Sequence, residues 1–177
     1  MSKAFTKDDA GDAELLVVPR APLPPGVPNY VTPRGLQLLH AELSAFDRER
    51  AALLVSDSGD GPARLNALGQ RAAELEARIA SAQLVDSHSQ PQAEVRFGAW
   101  IRVRQGSGQE ATYRIVGVDE ANAARGLIAF SSPLARALLG KRVGDVAELR
   151  TPRSNQELEL VGLGYGEEPD SLIPVAP

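Results

Sequence analysis

The sequence has no cysteine, and only two of its 177 residues are histidines, His40 and His88. The absence of cysteine excludes disulfide bonds, thiolate metal sites and a cysteine nucleophile, and it fits a reducing cytosol. The two histidines lie far apart in the chain, and neither has a second plausible ligand beside it. The sequence therefore predicts a protein without a metal or redox centre of its own.

Long apolar runs and a basic surplus are also missing. No segment approaches the roughly 20 apolar residues that cross a bilayer, and residues 1–14 lack the apolar core of a signal peptide. We therefore expect a soluble, cytoplasmic protein. A formal net charge of −4 argues against binding DNA through general phosphate attraction. A protein partner is favoured, contact with nucleic acid is expected to be indirect, and the protein is expected to be a monomer.

The composition, 43% hydrophobic and 24% charged, is typical of a globular chain with one domain or two small ones. Residues 1–29 contain acidic residues and the proline-rich run Pro19–Pro28, and we interpret them as a flexible leader. Residues 166–177 form an acidic tail. Residues 95–165 carry ten Lys and Arg against seven Asp and Glu, which predicts a mildly basic module.

Residues 30–86 have the spacing of an antiparallel coiled-coil hairpin. Thr32 and Pro33 are typical of a helix N-cap and first helical residue. Apolar residues at heptad spacing follow on both sides of the helix-breaking segment 55–62: Leu36, Leu39, Leu43, Phe46 and Leu53, then Leu65, Leu68, Ala72, Leu75, Ile79 and Ala82. These narrow stripes favour a hairpin over two helices packed on a sheet. Arms of about 22 residues would project roughly 33 Å.

After a linker at residues 87–94 the pattern changes to the alternation of β-strands. Strands are predicted at residues 95–104, 112–118, 127–130, 146–150 and 157–163. A short helix is predicted from Pro133 to Leu139, with Ser132 as its cap and Gly140 as its terminator. The predicted fold class is α+β, with the hairpin followed by a small antiparallel sheet of four or five strands and one short helix.

Over residues 30–165 this order of blocks resembles the Gre transcript-cleavage factor family. The strongest block is SSPLARALLGKRVGD, at residues 131–145. Four shorter blocks support it: VTPRG at 31–35, AQLVD at 82–86, FGAW at 97–100 and YRIVGVDE at 113–120. The resemblance implies that the hairpin enters the secondary channel of bacterial RNA polymerase and that residues 95–165 form an FKBP-like domain docked on the channel rim.

Within the strongest block, the resemblance implies contact with the polymerase through Ser132, Pro133, Arg136, Lys141, Arg142 and Asp145. Several residues there also suit structural roles, since Gly140 ends the helix and Asp145 belongs to the turn before the next strand. The leucines of this block are expected to pack the helix on the sheet. The three cations are the side chains best suited to pair with acids on another protein.

The Gre pattern also places an acidic motif at the hairpin tip, Gly-Asp followed shortly by Glu-Asn. Its carboxylates help the polymerase to retain a second Mg²⁺ and to position the attacking water. Here Gly59 and Asp60 match the start of the motif, but Ala63 and Arg64 stand where Glu-Asn would fall. Asp57 is the other tip carboxylate.

The chain thus resembles a variant with an incomplete acidic tip and a shortened hairpin. Its arms are about two turns, or roughly 10 Å, shorter than the Gre pattern. We favour a turn and cap role for Asp60, because Asp and Gly are ordinary turn residues. No metal site of its own is predicted, and the one metal implied is a Mg²⁺ shared with the polymerase active site.

Three functional hypotheses follow. The first is a polymerase-binding elongation regulator, an accessory to transcript cleavage rather than an enzyme. The second is a non-cleaving competitor that occupies the channel. The third, a peptidyl-prolyl isomerase, depends only on the implied FKBP-like fold, and fold does not imply function. An isomerase pocket needs a ring of aromatic residues, and a core this small would use several of the five in residues 95–165.

Overall fold

The structure is a computed structural model that describes residues 20–55, 59–150, 155–166 and 173–174. In these ranges the fold is α+β, as predicted, with a two-helix hairpin followed by a β-sheet domain. Neither long helix in the described ranges has the apolar stretch that a bilayer crossing requires.

The hairpin consists of α1 (Pro33–Val55) and α2 (Gly61–Ala80). Thr32 caps α1, because its Oγ1 accepts the Gly35 N–H at 2.8 Å. All eleven apolar positions predicted from the heptad spacing fall in one cluster between the two helices, and the most buried of them are Leu39, Phe46, Leu53, Leu68 and Leu75. The predicted hairpin seam is therefore confirmed.

Two short strands close the base of the hairpin, and the sequence analysis did not predict them. β1 (Asn29–Val31) pairs in parallel with β2 (Ala82–Leu84). The second helix therefore ends at Ala80, two residues before the Ala82 that the heptad included. The Asn29 Nδ2 donates to the carbonyl of Arg78 at 2.8 Å, which satisfies an acceptor at the end of α2.

In the described residues the sheet domain contains six strands: β3 (Trp100–Gln105), β4 (Glu110–Val116), β5 (Leu127–Ala129), β6 (Val146–Arg150), β7 (Asn155–Gly164) and β8 (Ile173–Pro174). Their order is β5-β4-β3-β7-β6, and β8 also pairs with β7. The prediction of a wholly antiparallel sheet is wrong at β5, which is parallel to β4. The chain crosses over through a 3-10 turn and Gly126 (φ 70°), so it re-enters the sheet in the same direction.

The short helix α3 (Pro133–Leu138) packs on this sheet through Ala135 and Leu138, both fully buried. The segment 95–99, predicted as the start of a strand, is not part of the sheet. Its last two residues still hydrogen-bond to Ile115 of β4, whereas its start is tied to the chain after α3: the Val95 N–H donates to the Lys141 carbonyl at 2.8 Å and the Val95 carbonyl accepts the Gly140 N–H. This pairing fixes the position of the α3 end, which is used below.

The predicted leader is attached to the fold over its last residues. Residues 1–19 lie outside the described part of the chain, but Arg20 donates to Asp119 at 2.8 Å and to Glu42 at 2.6 Å. The carbonyl of Ala21 accepts from Arg78 at 2.6 Å. The prediction of a free leader through residue 29 is therefore wrong for residues 20–29, because ion pairs and β1 hold them on the hairpin. Of the predicted tail, the structure describes Gly166 and the strand β8.

Two adjacent acids after β4 fasten the hairpin to the sheet domain. Asp119 pairs with Arg20 and lies 3.4 Å from Arg78, while the buried Glu120 accepts the Thr32 hydroxyl hydrogen. Burial acts to lower the pKa of Arg20, but its hydrogen bonds to Glu42 and Asp119 outweigh that effect and raise the pKa above its ordinary value. We call this set of residues the junction network.

Replacing Asp119 by Ala is expected to lower the free energy of unfolding by about 1–3 kcal/mol, because it removes the carboxylate shared by two largely buried arginines. Chemical denaturation monitored by circular dichroism measures the change. The matched control is Glu148→Ala, which removes an exposed partner of Arg150 and should cost less than about 1 kcal/mol. Equal effects of the two substitutions would contradict the role given to the junction network.

Candidate functional site

The hairpin tip presents Asp60 as its described carboxylate. Asp60 occupies the N-cap position of α2, but its side chain makes no cap hydrogen bond. The carboxylate is 64% exposed and lies 3.8 Å from the Arg64 Nη1. The predicted cap role is therefore wrong for the side chain, although the Asp60 carbonyl does accept the Arg64 N–H. Asp57 lies outside the described residues.

Two large apolar side chains at the end of α1 are exposed, which the sequence analysis did not predict. Leu54 and Val55, at the end of α1, are 65% and 86% exposed. Ala63 is exposed where the Gre pattern has an acid. In the part of the chain that the structure describes, no three His, Asp or Glu side chains cluster to hold a metal ion. The described part of the tip therefore presents one carboxylate, that of Asp60.

Two of the predicted docking residues are engaged within the chain. The Ser132 hydroxyl accepts the Ala135 N–H at 3.2 Å, so Ser132 caps α3 as predicted. The Asp145 Oδ2 accepts the backbone N–H of Arg142 at 2.8 Å, which closes the turn before β6. Pro133 is exposed at the first position of α3. The structure thus gives Ser132 and Asp145 structural roles.

The three predicted cations remain available to a partner. Arg136, inside α3, and Arg142, shortly after it, are exposed. Lys141 is half-buried. Among the described residues, no carboxylate pairs with any of these three side chains. Cations without an internal partner lose no ion pair when they bind acids on another protein. The end of α3 is therefore the part of the block best suited to contact.

A cavity of about 430 Å³ opens beside the same helix end, and we call it the α3 cavity. Its walls are largely apolar and include Tyr30, Val85, Phe97, Phe130 and Leu139. The three aromatic rings pack against one another, with centroids 5.7–5.9 Å apart, and each covers part of its neighbours. Hydrophobic walls beside free cations are typical of a protein-binding site.

The sequence analysis missed two residues of this cavity. Leu139 was expected to pack α3 on the sheet, but it is 37% exposed. The reason is that α3 ends at Leu138 and Gly140 (φ 81°) turns the chain, which leaves Leu139 at the cavity wall. Tyr30 comes from β1, about a hundred residues before Phe130 in the chain. No sequence spacing could place those two rings together.

Tyr165 braces another wall of the α3 cavity. Its hydroxyl donates to the Glu94 carbonyl and accepts the Arg96 N–H at 3.0 Å. Burial is the main cause that raises the pKa of Tyr165 above its ordinary value of 10.0. The pKa of Tyr165 is therefore higher in the folded protein than in the unfolded chain. The stability that the buried, neutral Tyr165 contributes is complete below about pH 10 and is lost as the pH rises through the folded pKa.

Comparison with known proteins identifies a family whose members resemble this part of the chain. The family model described as "Transcription elongation factor, GreA/GreB, C-term" matches residues 90–165, which include the three cations and the lining of the α3 cavity other than Tyr30 and Val85. A solved structure, GreA factor homolog 1 (Gfh1) of Thermus thermophilus, is 26% identical, and the alignment covers 78% of this chain and 99% of that one with a TM-score of 0.37.

Two curated relatives extend the match toward the hairpin. Transcription elongation factor GreB of Pasteurella multocida is 36% identical over 139 residues, which cover 70% of this chain and 88% of that protein. Transcription elongation factor GreA of Methylococcus capsulatus is 43% identical over 97 residues, which cover 54% of this chain and 61% of that protein. The chain therefore belongs to the GreA/GreB family of transcription elongation factors.

Proposed function

We propose that the protein regulates transcription elongation by binding bacterial RNA polymerase at its secondary channel. In this role it is an accessory to the polymerase rather than an enzyme, and it acts in the cytoplasm where the polymerase is found. The observation that carries the proposal is the coincidence, at the end of α3, of the matched family region, an apolar cavity and cations that pair with no carboxylate of the described residues.

The sheet domain supplies the affinity in this proposal. A bulky apolar side chain of the polymerase enters the α3 cavity, while acidic residues around it pair with Arg136, Lys141 and Arg142. Burial of an apolar anchor provides most of the binding energy at such sites. The surrounding charges mainly increase the association rate and orient the partner.

The hairpin supplies the regulation. Arms of 23 and 20 residues extend about 30–35 Å from the sheet domain, so they occupy the channel. Asp60 is the one described carboxylate at the tip, and Ala63 provides no second ligand for a Mg²⁺ shared with the polymerase. The protein then acts as a competitor that blocks the channel without completing the cleavage site.

Charge reversal at the α3 end tests the docking proposal. The double variant Arg136→Glu, Arg142→Glu should bind core RNA polymerase at least about tenfold more weakly at low salt, because both cations lose their acidic partners. Biolayer interferometry with immobilised polymerase measures this. The control is Arg150→Glu, since Arg150 is exposed on β6 and already pairs with Glu148. Equal affinity of the two variants would refute docking at the α3 end.

The apolar part of the site is tested separately by Leu139→Ala. This variant should weaken binding at high and low salt alike, because a hydrophobic contact is not screened. The charge-reversal effect, by contrast, should shrink as the salt concentration rises. A Leu139→Ala protein that binds normally at both salt concentrations would exclude the α3 cavity from the interface.

A further inference from the structure

Residues 20–31 contact both parts of the molecule, and we call them the strap. All but the last two of them precede the region 30–165 that resembles the Gre family. At the end of the strap, adjacent residues enter different cores: Tyr30 packs against the core of the sheet domain, whereas Val31, 3% exposed, lies in the cluster of the hairpin seam. The Tyr30 carbonyl also approaches Gly117 so closely that a Cβ atom there would come within 2.7 Å of it. This end of the strap is therefore fixed between the hairpin and the sheet.

Arg20, at the other end of the strap, joins the hairpin to the sheet domain through one guanidinium group. Its Nη2 donates to Glu42 of α1 at 2.6 Å, and its Nη1 donates to Asp119, after β4, at 2.8 Å. The Asp119 side chain is 7% exposed and that of Arg20 is 20% exposed, so solvent screens this pair less than a surface pair. The planar fork of a guanidinium group fixes the direction of both bonds. We call Arg20, Glu42 and Asp119 the clasp.

The clasp engages the hairpin farther from its base than the other contacts of the junction network do. Thr32 precedes α1 and Arg78 lies in the last turn of α2, so their bonds to the two acids after β4 lie at the base of the hairpin. Glu42 comes nine residues after Pro33, which is about 14 Å along the helix axis. A contact that lies farther from the base resists rotation of the hairpin more strongly. The clasp is therefore the contact best placed to fix the direction of the hairpin.

The charges of the clasp make its effect larger than that of two hydrogen bonds. Glu42 and Asp119 belong to different parts of the molecule, yet their carboxylates face each other across one guanidinium group. Arg78, 3.4 Å from Asp119, compensates one of these two negative charges. Without Arg20 the second charge has no cation within the junction network, and the two carboxylates repel each other. Loss of Arg20 should therefore push α1 away from the segment after β4.

We propose that Arg20 is a positioning residue that fixes the direction of the hairpin relative to the sheet domain. When the clasp is open, the hairpin turns about its base, where β1, Thr32 and Arg78 still hold it. An arm of about 34 Å that turns by about 20° moves its tip by roughly 12 Å. For a hairpin that enters the secondary channel, this displacement decides where the tip arrives, a consequence that rests on the proposed function. The clasp itself is a property of the isolated chain.

The test exploits the absence of cysteine, because spin labels then attach only at introduced cysteines. One label is placed at Ala51→Cys, which is exposed on α1 near the tip. The other is placed in turn at two exposed positions of the sheet domain, Gln109→Cys between β3 and β4 and Gln156→Cys on β7, so that two directions are sampled. Double electron–electron resonance on the full-length protein gives the distribution of distances between the labels.

We expect a narrow distribution for each label pair in the otherwise unchanged protein. Arg20→Ala should broaden at least one of them or shift its mean by about 5 Å or more, since residue 51 lies about 27 Å along the arm. Glu42→Ala should have the same effect, because it keeps the pair between Arg20 and Asp119 but removes the contact with the hairpin. The matched control is Arg150→Ala, which removes an exposed pair on β6 and should change neither distribution.

A label pair within the hairpin separates a change of direction from a loss of helix packing. Ala51→Cys with Asn66→Cys, both exposed, should give the same distance with and without Arg20→Ala. A change in this pair would show that Arg20 supports the helices themselves, which would overturn the proposal. Unchanged distances to both sheet positions in Arg20→Ala and Glu42→Ala would also overturn it. So would distributions that are already broad when the clasp is intact, because the direction of the hairpin would then not be fixed.

Discussion

Added alone to a backtracked elongation complex, the protein should leave the transcript essentially uncut. With Asp60 as the described tip carboxylate and Ala63 in place of an acid, it supplies too few oxygen ligands to retain a second Mg²⁺. Such a metal contributes several kcal/mol to the reaction, so cleavage should fall about 100-fold or more below that of an authentic Gre factor. Transcript shortening on a denaturing gel measures the difference.

Added together with an authentic factor, the same protein should reduce cleavage. A molecule that docks through the sheet domain but brings no complete ligand set is a competitor by mass action. Its inhibition should grow with its concentration and disappear when the authentic factor is in excess. The Arg136→Glu, Arg142→Glu variant is the matched control, because it keeps the same hairpin and should no longer inhibit.

Variants of the hairpin test separately the missing acidic residue at the tip and the shortened arms, the two differences from the Gre pattern. Restoring the motif with Ala63→Glu and Arg64→Asn should give little activity, since the resemblance implies arms about two turns, or roughly 10 Å, too short to bring these carboxylates to the metal. The same pair combined with two added turns in each arm should restore cleavage. Strong cleavage by the unmodified protein, abolished by Asp57→Ala or Asp60→Ala, would instead show that the existing tip is sufficient.

Replacing Leu75 by Ala should lower the free energy of unfolding by about 2–5 kcal/mol, the cost of a cavity in a well-packed core. Leu75 is fully buried in the seam between α1 and α2. The change should also lower the melting temperature by about 4 °C or more in a chain of this length. Thermal and urea unfolding followed by circular dichroism measure both quantities.

Two further leucine variants calibrate that result. Leu43 is only partly buried against the same cluster, so Leu43→Ala should cost less than Leu75→Ala. Leu38 is 50% exposed on the outside of α1, and Leu38→Ala should change stability by no more than about 0.5 kcal/mol. If all three variants melt together with the wild type, the two helices do not pack as described.

The heptad spacing determined the hairpin. Each apolar residue from Leu36 to Ala82 that the spacing selected lies in the seam, because 3.5-residue periodicity can bury only one stripe of a helix. Capping chemistry is equally local, so Thr32 and Ser132 were also predictable. The sequence blocks likewise pointed to the Gre family without any knowledge of the fold.

Strand direction and the extent of the leader depended on long-range pairing. β5 runs parallel to β4 because of the path taken by the crossover, and alternating hydrophobicity looks the same for either direction. Arg20 is ordered by Asp119, a residue 99 positions away. Local composition contains no information about such a partner, and a proline-rich segment alone predicts only an extended chain.

Only the tertiary structure revealed the α3 cavity and the clasp. The α3 cavity joins Tyr30 from the strand before the hairpin to Phe130 and Leu139, and the clasp joins Glu42 to Asp119 through Arg20. The sequence did determine which residue types are available for contact, since the cations of residues 136–142 were identified from their charge within the block that resembles the Gre family. Which of them are free, and what lies beside them, was decided by packing, because burial and pairing arise between elements that are distant in the chain.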